Sequence, residues 1–138
     1  MTKITAILCV YKRAHNFEKQ IIALMGQSTP IDNYIIWVNQ TEGEDQSIVV
    51  PHEIIEKTKI IHSYSNLGVR ARFYTGLNAH TDYVFIVDDD VIPGRLWVEK
   101  CVALAEQEEG IYGCWGSLFN SIEVRKDRTI VDEKYPFE

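Results

Sequence analysis

No apolar run in this 138-residue chain approaches the ~18 residues that a membrane-spanning helix needs, and the amino terminus enters a short strand pattern within a few residues. Neither a membrane span nor a signal peptide is therefore expected. Cysteine is scarce: Cys9, Cys101 and Cys114 are odd in number, show no CxxC spacing and fall in or beside apolar segments. That argues against a disulfide framework or a zinc site, and predicts free thiols in a reducing, cytoplasmic setting. Positive charge is also short. A net charge of −6 argues against general affinity for nucleic acid or anionic membrane, although a local basic cluster could still hold a phosphate. Repeats, low-complexity tracts and linkers are missing. So are a helical HxxxH or HExxH pair among His15, His52, His62 and His80, a G-x-S-x-G context for Ser63 or Ser65, and a Walker element. The remaining composition is that of an ordinary soluble protein, large enough for one cored domain over residues 1–138.

Against these absences stands Asp88-Asp89-Asp90, directly after the apolar run Tyr83-Val84-Phe85-Ile86-Val87. Such a run reads as a strand buried on both faces of a parallel sheet, so the three acids lie at its carboxyl end. Side chains alternate along an extended segment, so Asp88 and Asp90 are expected to point the same way and Asp89 to the other side. Three adjacent anions must be solvated, paired or neutralised, and a hard divalent cation such as Mn²⁺ or Mg²⁺, with oxygen ligands, is an economical answer. The plainer alternative is one capping Asp and two solvated turn residues.

The chain around this triplet alternates strand and helix. Ile4–Val10 reads as a first strand, and Phe17, Ile21, Leu24 and Met25 as the stripe of a helix stopped near Gly26. Tyr34–Val38 and Lys59–Ser63 read as further strands, with 48–57 ambiguous between short helix and irregular structure. Val69, Phe73 and Leu77, spaced i, i+4 and i+8, predict a helix over Leu67–Ala79 with that face inward. Pro93 opens another, with Trp97, Cys101, Leu104 and Ala105 inward, and Ile111–Trp115 reads as a fifth strand. Trp37, Trp97 and Trp115 fall in apolar patterns and are expected in the core. Residues 125–128 read as a charged turn between two short extended pieces. The expected class is α/β: a Rossmann-like, mostly parallel sheet with helices on both faces.

At the junction before the Leu67–Ala79 helix, Arg70 and Arg72 lie where a helix amino terminus disfavours cations unless an anion shares the space, and Gly68 would let backbone approach that anion. The strand ending in VYKR, the strand ending in VNQ, the segment SNLGVRARFYTGLNAH and then YVFIVDDDVIP resemble, in this order, the donor-binding half of GT-A glycosyltransferases, especially the large inverting family 2. The resemblance covers roughly residues 4–118. Asn66, Gly68, Ala71, Arg72, Gly76 and Leu77 match the family's N-x-G…A-R…G-L pattern, with Phe73 where many relatives carry Asn. The exostosin-like retaining transferases, with a DDD element in the same fold, are similar here too.

That resemblance implies a metal-dependent transfer of a sugar from a UDP- or GDP-linked donor to a hydroxyl of a glycan or other acceptor. It places Tyr11, Arg13, Asn39 and Asn66 near the nucleobase or ribose, Arg72 by the diphosphate, Asp88 at the ribose or metal, Asp89 towards the sugar, and Asp90 on the cation as the last acid of a D-x-D element. It favours Arg72 over Arg70. Family members carry the catalytic base in a following half, and this chain stops about where that half begins; Asp127, Asp132 and Glu133 are not assigned as base. Donor binding without efficient transfer is expected, together with an uncovered apolar edge near Trp115 and Phe119 through which a homodimer could form.

Two other classes compete. A non-catalytic nucleotide-sugar binding module would use the same pocket without an acceptor side. A signalling receiver domain has similar size and an acidic cluster, but places paired acids after the first strand, where this chain has Tyr11-Lys12-Arg13.

Overall fold

Branched and aromatic side chains dominate four segments of the chain, and these pair as the strands β1 (Ile4–Val10), β2 (Asn33–Val38), β3 (Thr58–His62) and β4 (Tyr83–Val87). The structure, a computed structural model, describes residues 2–39, 43, 45–113, 116–119 and 128–131. All four strands run parallel in the order β3-β2-β1-β4. Receiver-type winding would give the order 2-1-3-4-5, so the observed order removes that alternative.

Among the described residues, three α-helices cover the sheet: α1 (Phe17–Met25, entered through a 3-10 turn at Ala14–Asn16), α2 (Ala71–Gly76) and α3 (Trp97–Ala105). Ile4, Ala6, Leu8 and Val10 alternate onto one face with Tyr34, Ile36, Phe85 and Val87, and there they join Phe17, Ile21 and Leu24 of α1 and Val98 and Cys101 of α3 in the main core. Trp97 meets Phe85 edge to face, with centroids 5.0 Å apart. Among the described residues the opposite face receives the short α2, whose Gly76 lies against Ile7 and Val84. Helices on both faces were expected and are found.

Several expectations change. The helix after β3 spans Ala71–Gly76 rather than 67–79, and it buries Ala71 and Thr75 instead of Val69, Phe73 and Leu77, which are exposed. Small residues let this helix lie close to the sheet, and Thr75 satisfies its hydroxyl internally by donating to the Ala71 carbonyl at 2.8 Å. Likewise β4 is buried on one face only: Phe85 and Val87 are buried, whereas Val84 is 40% exposed, because among the described strands β4 pairs with β1 alone and forms an edge. Helix α3 seats Val98 with Cys101, and Trp97 and Leu104 are half-buried.

The stretch 48–57 resolves into irregular backbone followed by a 3-10 helix at His52–Lys57. Residues 111–113 have no regular structure, and the extended segment begins later, as β5 (Gly116–Phe119), paired antiparallel with β6 (Arg128–Val131). Cys114, Trp115, Asp127, Asp132 and Glu133 lie outside the described residues. Among the described residues no helix is long and apolar enough to cross a membrane.

Candidate functional site

The chain leaves β1 through α1 on one face of the sheet and enters β4 from α2 on the other, so the connections diverge between these neighbouring strands. At such a switch point the strand ends are not roofed by a crossover, and a crevice opens beyond their carboxyl termini. The segments bordering it are Tyr11-Lys12-Arg13 after β1 and Asp88-Asp89-Asp90 after β4.

Extended backbone ends at Val87. Asp88 to Val91 form a turn closed by the Val91 N–H donating to the Asp88 carbonyl at 3.1 Å. The strand alternation that would pair Asp88 with Asp90 therefore does not apply. It is Asp89 and Asp90 that share a partner: one Arg13 guanidinium nitrogen lies 2.9 Å from Asp89 Oδ1 and 3.3 Å from Asp90 Oδ2. Asp88 Oδ1 is ion-paired with Arg72, whose Nε also donates to the Val69 carbonyl at 2.8 Å. Arg72 thus faces the acids, while Arg70, one residue before α2, is exposed.

A second cluster sits over the ends of β1, β2 and β3. Asn66 donates from Nδ2 to the Tyr11 hydroxyl at 2.9 Å and accepts at Oδ1 from Asn39 Nδ2 at 2.7 Å and from the Gly68 N–H at 2.8 Å. The buried Asn39 accepts in turn from the Leu67 N–H at 3.0 Å. Gly68 has φ +68°, a left-handed conformation that glycine adopts without a Cβ penalty. Lys12 is also left-handed, at φ 63°, with its ammonium 5.4 Å from the Tyr11 ring centroid. The eight expected site residues therefore fall into two adjoining groups: Tyr11, Asn39 and Asn66 in a hydrogen-bonded polar cluster, and Arg13, Arg72 and the three acids in an ionic one.

Half-buried Cys9 lies at the end of β1 beneath the ionic group. Burial pushes its thiol up to about 11, with Arg72 pulling down and Asp89 pushing further up. The thiol is neutral at physiological pH and no nucleophile. The four histidines are exposed and dispersed.

Three residues of consequence have no place in the sequence reading. Asn16 donates to the Asp89 carbonyl at 3.0 Å, Gln20 to the Asp88 and Val91 carbonyls, and Gln27 to the Gly94 carbonyl at 2.8 Å while accepting from the Val98 N–H. The signal was there: Gln20 interrupts an otherwise apolar buried stripe of Phe17, Ile21 and Leu24.

Whether the acids suit a metal ion turns on their oxygens. Among the described residues no three His, Cys, Asp or Glu side chains converge as a ready ligand set. However, three carboxylates face two arginines, Asp89 Oδ2 is buried without a hydrogen-bond donor, and the Asp90 side chain is 56% exposed. Hard oxygen donors with unmet demand fit a small divalent cation that completes its shell with phosphate oxygens and water.

The profile of the family described as Glycosyl transferase family 2 matches residues 5–135. No curated protein matches the chain. Among solved structures, that of S. aureus TarS is similar, with TM-score 0.58 and 18% identity over 76% of this chain and 20% of that one. TarS 1-349 in complex with UDP gives 0.57 and 16%, covering 81% of this chain and 38% of that one. TarS 1-349 in complex with UDP-GlcNAc gives 0.59 and 15%, covering 81% and 37%. At these identities the likeness is one of fold, and the chain spans between a fifth and two fifths of those chains.

Proposed function

This chain belongs to glycosyl transferase family 2, and on that premise we propose that its crevice binds a nucleoside-diphosphate sugar and serves transfer of the sugar to an acceptor hydroxyl. The observation that carries the reading is the ionic group of Arg13, Arg72 and Asp88–Asp90 at the switch point between β1 and β4. The TarS complexes with UDP and UDP-GlcNAc, in the same fold, favour a uridine nucleotide as the first donor to test.

In this reading Tyr11, Asn39 and Asn66 hold the base or ribose. Their mutual hydrogen bonds orient the amides and hydroxyl in advance, so little side-chain freedom is lost on binding. Arg72 turns from Asp88 to the diphosphate, a charge-assisted contact of fixed geometry. Arg13 neutralises the turn when donor is absent and can follow the phosphate when it arrives. Asp89 faces the sugar. A divalent cation, Mn²⁺ or Mg²⁺, would be held by Asp90 with Asp88 second, and when bound it stabilises negative charge on the leaving diphosphate. Transfer also needs a base for the acceptor hydroxyl, and no described residue is assigned that role. The thiol of Cys9 suits a reducing compartment, which favours a cytoplasmic site of action.

Calorimetric titration of UDP and GDP with Mn²⁺ and with chelator tests the reading. Binding of one nucleotide that depends on the cation is expected; no binding of either in any condition would overturn it.

A further inference from the structure

The acids that make the site are mutually repelling and sit on a turn, so something must hold that turn's backbone in one shape. Gln20 does so from below. Its Nε2 lies 2.6 Å from the Asp88 carbonyl oxygen and 2.7 Å from that of Val91, the first and last carbonyls of the Asp88–Val91 turn. A carboxamide nitrogen carries two N–H groups, one for each carbonyl. Gln20 is 1% exposed and stands on the core face of α1 between Phe17, Ile21 and Leu24, where an aliphatic residue would satisfy the helix pattern. Burying a carboxamide there is costly unless it is hydrogen-bonded, and the turn supplies the bonds. One helical turn earlier, Asn16 donates to the Asp89 carbonyl at 3.0 Å.

We propose that Gln20 is a positioning residue of the donor site: it fixes the Asp88–Val91 turn to the rigid core face of α1, so that the carboxylates project into the crevice and the carbonyls are tied away from it. The role rests on the donor-site reading above. Gln20 touches no ligand and acts only through the turn. Gln27 provides an internal contrast: it lies just past the end of α1 and makes the same type of contact, but to Gly94 and Val98, beyond the acids.

The test compares Gln20→Met with Gln27→Met in the full chain, each losing one buried carboxamide. Three quantities are measured: melting temperature, hydrogen exchange at the Val91 amide without ligand, and UDP affinity with Mn²⁺ by calorimetry. In Gln20→Met, Val91 exchange should accelerate while the β1 amides stay protected, and UDP affinity should fall about tenfold. In Gln27→Met, at a similar melting temperature, Val91 exchange should be unchanged and affinity should hold within about twofold. Gln20→Asn, one methylene too short to reach both carbonyls, replaces Gln20→Met if that variant does not fold, with the same outcomes expected. Unchanged Val91 exchange, or equal affinity losses in the two variants, would overturn the proposal. Faster Val91 exchange in a chain whose wild type binds no nucleotide would instead overturn the donor-site reading and leave the grip of Gln20 on the turn standing.

Discussion

Arg13 and Asp89, 76 positions apart in the chain, meet at 2.9 Å and join the loop after β1 to the turn after β4. Because the strands they follow are adjacent and parallel, this contact closes the switch point across its mouth. The Arg13 side chain is half exposed, so solvent screens the pair and it contributes less than about 1 kcal/mol. A contact that weak can be exchanged for a competing anion at small cost.

Asp90→Asn should abolish the cation-dependent part of UDP binding and leave only the affinity measured in chelator. The side chain is exposed and its removal relieves repulsion with its neighbours, so stability should change by less than about 1 kcal/mol. Calorimetry and a thermal melt on the same preparation check both statements, and undiminished cation dependence in the variant would remove Asp90 from the site.

Arg72→Ala should weaken UDP binding by about tenfold or more, the value of a lost charge-assisted hydrogen bond, whereas Arg70→Ala should be close to neutral. The ordering follows from Arg72 pairing with Asp88 while Arg70 is exposed. Equal, small losses in both variants would place neither arginine at the diphosphate.

Raising the pH from about 9 to about 11 should destabilise the fold through Cys9. Its thiol ionises near 9.0 when unfolded and near 11 when folded, mainly because of burial, so the unfolded chain gives up its proton first and stability falls across that window. Cys9→Ser, compared with the wild type in denaturant melts at pH 8 and pH 10.5, should show a shallower decline. For the same reason alkylation of Cys9 at pH 7.5 should be slow until the protein is unfolded.

Phe73→Ser should cost less than about 0.5 kcal/mol, since the ring is largely in solvent, while Ile21→Ala should cost about 2–5 kcal/mol from the main core. Urea unfolding of the two variants checks the orientation of α2. A large loss for Phe73→Ser would restore the inward face that periodicity predicts.

What the sequence by itself determined is the set of elements and their class. Strand β1 and strand β4 begin and end where the apolar runs do, and α1 runs from Phe17 to Met25, because these segments bury their own side chains and are bounded by polar or glycine residues whose preferences are local. The acidic triplet at the end of β4 and Arg72 near the start of α2 were legible for the same reason, since position on an element follows from chain order. Tertiary structure alone decided the rest. Periodicity identified an apolar face on α2 but not which face the sheet would accept, and close approach favoured Ala71, Thr75 and Gly76 over larger Val69, Phe73 and Leu77. Alternation could not foresee that extended backbone stops at Val87, which is why Asp89, not Asp88, shares Arg13 with Asp90. The side-chain amides of Asn16 and Gln20 have partners 68 to 73 residues away, and no local pattern can encode which carbonyl an amide will find across that distance.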